Sequence, residues 1–310
     1  METIEGKLNV ERNTYSIANV KIGGLSGENP TAMIGTIFYD GHKIVNDPLR
    51  GEFDKTRAEA LIKRTEEVAE RTGNPMILDV VFDTPEAMET YIDFVSTTTD
   101  APFLIDSANS STLVDAVKYV SQTGLGDRAI YNSINWKTTQ QEIDTLKESK
   151  VKTGIIFAFN PTNPTIEGRL DMLRGSNEKK GLVNIAQETG MEKILVDTCS
   201  LATPDIGPAV KAALQVKNEF GYPAGCYSGY MIDPWAKGRQ LEKRIIDECV
   251  AAGLAYPAAF DIDFILYGPI ELAPHAHYTA SLFNAFTAYT SRQYGTRQSP
   301  NHPLSKIFKS

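Results

Sequence analysis

Four short segments run apolar and then end in an acid or an amide beside small polar residues. They are Met76-Ile77-Leu78-Asp79, Phe103-Leu104-Ile105-Asp106-Ser107, Ala129-Ile130-Tyr131-Asn132-Ser133 and Ile194-Leu195-Val196-Asp197-Thr198. Taken singly, each acid could cap a helix or join a structural ion pair. Taken together, three carboxyls and an amide at the ends of strand-like runs describe a ligand site, because a buried carboxylate without a partner is costly. Such a set suits a ligand that presents adjacent N–H donors, since a carboxylate accepts two parallel hydrogen bonds. An amide donates and accepts at once.

Elements that could bring these residues to one place follow from the spacing. The apolar runs alternate with segments of helical periodicity, and strand C-termini of a β/α chain emerge on one face. Strand 1 is expected at Ala32–Phe38, strand 2 at Pro75–Phe82, strand 3 at Pro102–Ser107 and strand 4 at Ala129–Ser133. Strand 5 follows at Gly154–Phe159, strand 6 at Ile194–Asp197, strand 7 at Pro223–Tyr227 and strand 8 at Phe260–Tyr267. Asp54 opens helix 1 and Gly73 fits its C-terminal turn, while Thr84-Pro85 reads as the N-cap and first residue of helix 2. A Pro- and Thr-rich stretch from Asn160 to about Asn177 reads as a long loop, helix 7 as Pro234–Ala252, and helix 8 begins near Pro274. Eight such units without a linker predict a single (β/α)8 TIM barrel, residues 31–290. Tyr15–Ile22 alternates and ends at Gly23-Gly24, so residues 1–30 predict a hairpin able to close the N-terminal mouth. Residues 291–310 read as an extended C-terminal tail.

Bulk properties exclude several classes. The 310 residues carry a formal charge of −8 and a pI near 5.2, with no Lys/Arg run, which argues against a nucleic-acid partner. No apolar stretch reaches the ~18 residues of a membrane span. The three cysteines, Cys199, Cys226 and Cys249, are widely spaced and odd in number, as expected of thiols in the cytoplasm. Gly124-Leu125-Gly126-Asp127-Arg128-Ala129 has the letters of a dinucleotide fingerprint, yet it precedes a strand where a phosphate cradle must follow one. Asp40-Gly41-His42 starts like a cobalamin-ligating pattern, but Val45 stands where its glycine belongs, so His42 reads as an ordinary loop histidine. His275 and His277 lie two apart and do not share a helix face, and no metal site is expected. No nucleophile elbow or P-loop is found. A barrel lyase or aldolase would want a strand-end lysine, which is absent.

Further motifs carry a family likeness. They are Thr36-Ile37-Phe38-Tyr39, Gly41-His42-Lys43-Ile44-Val45, Leu104-Ile105-Asp106-Ser107 and Tyr131-Asn132-Ser133-Ile134-Asn135. To these add Asn160-Pro161, Asn163-Pro164-Thr165-Ile166-Glu167-Gly168, Asp197-Thr198 and Phe264–Ile270. Over about residues 15 to 275 the chain resembles the MtrH subunit of tetrahydromethanopterin S-methyltransferase. That family is similar to pterin-binding barrels of the dihydropteroate synthase type. The resemblance implies methyl transfer between N5 of a reduced pterin and the cobalt of a corrinoid on a partner protein, or of free methylcobalamin. It maps Asp106, Asn132 and Asp197 onto pterin contacts, with Asn135, Asp79 and Ser228 as further cofactor-binding candidates. Cys226-Tyr227-Ser228-Gly229-Tyr230-Met231 departs from the archaeal pattern. That departure favours the soluble bacterial relatives that use tetrahydrofolate, as in glycine betaine demethylation, over the archaeal tetrahydromethanopterin reaction. A subunit that only holds a corrinoid protein is the non-catalytic alternative. Leu241, Ile245, Ile246, Cys249 and Val250 give helix 7 a wide apolar face, from which a homodimer is expected.

Overall fold

A computed structural model describes residues 10–200, 205–228, 232, 235 and 238–308, with the backbone of residues 2, 3, 6 and 7. Eight parallel strands close into a barrel: β1 Ala32–Ile37, β2 Met76–Val81, β3 Phe103–Asp106, β4 Ala129–Ile134, β5 Thr153–Phe157, β6 Lys193–Asp197, β7 Ala224–Tyr227 and β8 Phe264–Pro269. Each strand pairs with its sequence neighbours, and β8 closes onto β1 through Phe264–Ala32 and Ile265–Met33. The (β/α)8 fold expected from the spacing is the fold observed.

Side chains alternate along each strand, so one set of residues fills the barrel and the other meets the helices. Ile34, Ile77, Leu104, Ile130, Ile155, Leu195 and Leu266 pack together inside. The hairpin Thr14–Ile17/Val20–Gly23 adds Ile17, Val20 and Ile22 to the same cluster, and so plugs the N-terminal end of the barrel. Lys193 ties it down by donating to the Ser16 carbonyl at 2.6 Å. A larger shell of apolar residues joins the outward strand faces to the helices.

Ten helices among the described residues surround the barrel or follow it. They are α1 Lys55–Thr72, α2 Pro85–Thr98, α3 Ser110–Gln122, α4 Gln140–Glu148, α5 Ile166–Arg174, α6 Leu182–Glu188, α7 Ile206–Phe220, α8 Lys243–Ala259, α9 Ala273–Ser291 and α10 Pro303–Ile307. Asp54 caps α1 by accepting from the Arg57 amide, and Gly73 takes φ 83° at its end, a left-handed turn that glycine adopts without strain. Thr84 caps α2 with Pro85 in its first turn. None of the described helices is long and apolar enough to cross a membrane.

Four expectations need correction. The Asn160–Asn177 stretch is not a plain loop, because Thr165 accepts from the Gly168 amide and opens α5 inside it. A Cβ on Gly168 would lie 1.9 Å from the Asn163 carbonyl, so this tight entry requires glycine. The helix expected at Pro234–Ala252, α8 here, starts at Lys243 and runs past Ala252 to Ala259; Pro234 itself lies outside the described residues. Strand 8 starts at Phe264 rather than Phe260, since residues 260–263 turn out of α8 and carry Asp263, whose carboxylate meets Lys217 at 3.1 Å. The C-terminal segment is not extended throughout: α10 forms in it and packs on α1 and α9.

Candidate functional site

Strand alternation places the chemistry. Two residues beyond each inward aliphatic the chain reaches the C-terminal rim, still facing the barrel axis. Ile34 leads to Thr36, Ile77 to Asp79, Leu104 to Asp106, Ile130 to Asn132, Ile155 to Phe157 and Leu195 to Asp197. These rim residues line a cavity of about 640 Å³, except that Thr36 sits beneath it as a partner of Asp79. Asn135, Trp136, Lys137, Tyr227 and Leu266 complete its walls.

Of the residues singled out from the sequence, Asp79, Asp106, Asn132, Asn135 and Asp197 share this cavity. Ser228 does not line it. Ser228 lies one residue past the inward-facing Tyr227, on the side of the buried Cys226, and its hydroxyl is buried without a partner. Tyr227 is the strand-7 residue at the cavity.

The three acids are buried, and none of them forms an ion pair among the described residues. Asp79 Oδ2 accepts from the Thr36 hydroxyl at 2.9 Å, while its Oδ1 is buried without a donor. Asp106 Oδ2 accepts from Asn132 Nδ2 at 3.1 Å. The Asp79 and Asp106 carboxyls also abut one another. Burial pushes Asp79 up to about 6, against the pull of the Thr36 and Asp106 contacts. Burial and then the charge of Asp79 push Asp106 well above the carboxylate range, with Asn132 opposing. Two abutting buried carboxyls cannot both ionise, so the pair retains a proton. Asp197 is pushed up to about 7 by burial, opposed by the Cys199 amide that donates to its Oδ1 at 2.7 Å and by the Arg169 guanidinium. The cavity floor is therefore a store of acceptors and of at least one exchangeable proton near neutral pH.

Two residues that the sequence did not single out hold the rim in shape. Arg169 of α5 is wholly buried and donates to the carbonyls of Thr198 at 2.7 Å and Cys199 at 3.0 Å, to that of Pro164, and to Asp205 at 2.7 Å. It fastens the loop after β5 to the loop after β6. The only cue in the sequence was a helix hidden in a Pro-rich stretch. His42 is not an ordinary loop histidine. It is buried, stacks on Tyr39, accepts from the Phe38 amide at 3.1 Å and contacts Glu271 at 3.0 Å, joining the loop after β1 to the start of α9. The described residues contain no cluster of His, Cys, Asp and Glu that could hold a metal.

Solved structures with this barrel include dihydropteroate synthase from Yersinia pestis, 9% identical over 88% of this chain and 98% of that one, with a TM-score of 0.56. The same enzyme from Vibrio fischeri is 13% identical, again over 88% and 98%, with a TM-score of 0.57. At such identities the likeness is one of fold: a dihydropteroate synthase-like (β/α)8 barrel.

Sequence defines the family. Residues 10–298 match the tetrahydromethanopterin S-methyltransferase MtrH subunit family, and the chain belongs to it. The corresponding tetrahydromethanopterin S-methyltransferase subunit from Methanothermobacter thermautotrophicus is 38% identical over 96% of this chain and 98% of its own length. A relative from Methanosarcina barkeri, named as a subunit of the mtx methyltransferase, is 38% identical over 97% and 99%. The tetrahydromethanopterin S-methyltransferase subunit from Methanopyrus kandleri is 37% identical over 96% and 98%. The chain is thus a member of a methyltransferase family, as its motifs implied.

Proposed function

We propose that this chain transfers a methyl group between N5 of a reduced pterin and the cobalt of a corrinoid carried by a partner protein. The observation that supports this most is the convergence of Asp79, Asp106, Asn132 and Asp197, unneutralised by any described cation, on one barrel-top cavity. A reduced pterin offers an amide N–H beside an exocyclic amine, which matches an aspartate accepting two parallel bonds. Asp197 and Asp106 take that part, and Asn132 lies on the adjoining strand with its carbonyl oxygen available to the N5 edge. The corrinoid supplies a nucleophilic cobalt or a cobalt-bound methyl, so this chain needs no nucleophile of its own. Its residues bind the pterin, aim N5 out of the barrel and keep a proton between Asp79 and Asp106. Through Asn132 that pair favours protonation at N5 as the methyl departs. Asn135 and Asp79 complete the surround, and Ser228 is set behind Tyr227.

The pterin is tetrahydromethanopterin in this reading, because most of the relatives above are named for it. Tetrahydrofolate is the second reading, favoured by the departure at Cys226–Ser228 and by the Methanosarcina relative whose name specifies no pterin. Calorimetry with each pterin separates them, followed by methylation of a corrinoid protein read from the cobalt absorbance. Binding of neither pterin overturns the enzyme reading in favour of a subunit that only holds a corrinoid protein.

The proposal places the chain in the cytoplasm as a homodimer. Support for the dimer comes from α9 rather than from the helix first expected to carry it. Val250 of α8 is buried, whereas Tyr278, Leu282, Phe286 and Tyr289 form an exposed stripe along α9. Light scattering that returned one 34.1 kDa chain at micromolar concentration would overturn it.

A further inference from the structure

The cavity has two chemistries. Its floor is acid and amide, but one wall is aromatic and comes from β5 and the loop after β4. Trp136 and Phe157 lie 6.1 Å apart at 28°, and Phe159 stands behind both, 5.7 Å from Trp136 and 6.1 Å from Phe157. Trp136, Phe157 and Lys137 line the cavity, and Lys137 Nζ lies 5.8 Å from the centre of the Trp136 ring. The three rings are only partly buried, so each retains apolar surface toward solvent. A bicyclic pterin head that satisfied the floor would leave this wall bare, since about 640 Å³ falls in the range that encloses a drug-sized ligand.

We propose that Trp136 and Phe157 form a subsite for the aryl ring that tetrahydropterin coenzymes carry on C6. The inference rests on the pterin reading above and extends it. Its warrant is connectivity. In the pterin ring C6 is bonded to N5, so the arm on C6 leaves along the edge that N5 presents. Asn132, placed at N5, is on β4, and Trp136 is four residues further along the same strand-to-loop segment. Tyr227 and Leu266 also line the cavity, but β7 and β8 lie across the barrel from β4, beside the other half of the pterin. An arm leaving beside Asn132 meets Trp136 and Phe157 first, and an aryl ring offset-stacked there gains more than area burial alone. Lys137 stands where the arm passes on toward solvent. The wall therefore selects pterins by what hangs from C6, and the floor selects by the head.

The test compares each full coenzyme with 6-methyltetrahydropterin, which has the head and no aryl ring, by calorimetry on the wild-type chain and on Trp136→Leu and Phe157→Leu. The expected result is a loss of at least about tenfold in affinity for the arylated pterin in each variant. Affinity for the head-only pterin should move less than about twofold. A second readout leaves the site intact. In Trp235→Phe the remaining tryptophan is Trp136, whose fluorescence the arylated pterin should quench and the head-only pterin should not. Equal losses for both pterins would overturn the proposal and assign the wall to the pterin ring. Unchanged pterin affinity with impaired transfer would overturn it too, and assign the wall to the corrinoid protein. Failure of the wild type to bind 6-methyltetrahydropterin or either full coenzyme would show instead that the pterin reading is wrong, and the subsite would fall with it.

Discussion

Asp197 and Asp263 are both buried acids at ends of barrel strands, and the protein treats them in opposite ways. Asp263 sits just before β8, at the closed end. Its Oδ1 meets Lys217 at 3.1 Å, its Oδ2 accepts the Ala224 amide at 2.8 Å, and Lys217 also donates to the Asp261 carbonyl at 2.8 Å. Asp197 ends β6 at the open end and receives the Cys199 amide, with Arg169 nearby but committed to backbone carbonyls and Asp205. Burial pushes both carboxyls up, but only at Asp263 does a paired lysine pull directly against it. An acid that serves the fold comes with its counter-charge built in. One that serves a ligand is left waiting for donors.

The contrast can be broken by substitution. The largest effect is expected at the closed end: Asp263→Ala strands the buried Lys217 ammonium and should cost about 3–5 kcal/mol in denaturant unfolding. Turnover per folded molecule should stay near wild type. At the open end Asp197→Ala and Asn132→Ala should each cut methyl transfer by at least about 100-fold, with melting still cooperative. Near-normal turnover in both would remove them from the site.

The same contrast can be sharpened by pH. In the folded chain the neutral form of Asp197 is favoured, because its pKa of about 7 lies above the ordinary carboxylate value of 3.8. Its contribution to stability is therefore present at low pH and lost as pH rises through about 7. Asp197→Asn removes that dependence. The stability of the variant relative to wild type should grow by at least about 1.4 kcal/mol from pH 5 to pH 8, the free energy of one decade in protonation. A constant difference across that range would refute it. The smallest effect belongs to neither end's chemistry: Asp54→Ala removes the cap of α1 and should cost about 1 kcal/mol, with pterin binding unaltered.

The barrel and most of its floor could be read from the chain because both depend on local period. Caps such as Asp54, Thr84 and Gly73 announce helices, and an acid two places beyond an inward aliphatic must face the axis. What could not be read depends on contacts between distant segments. The abutment of Asp79 and Asp106 needs the pairing of Val81 with Asp106 across β2 and β3, which sets the two side chains on adjoining rim positions. Arg169 makes its bonds about thirty residues away in sequence, to Thr198 and Cys199. His42 gains its partner from Glu271, at the other end of the chain. Ser228 was misplaced because the last residue of a short strand fixes the face of the next. Tyr227 ends β7, and Ser228 follows on the opposite side.

The hairpin stopper formed by Ile17, Val20 and Ile22 turns the barrel into a vessel with a single door. If both reactants meet at the rim, they share that door, and the order of arrival is no longer free. The pterin must be seated before the corrinoid protein covers the opening, and it can depart only after that protein has gone. Excess corrinoid protein should then slow exchange of pterin rather than speed the cycle. The plug at the far end, which touches neither reactant, would set this queue.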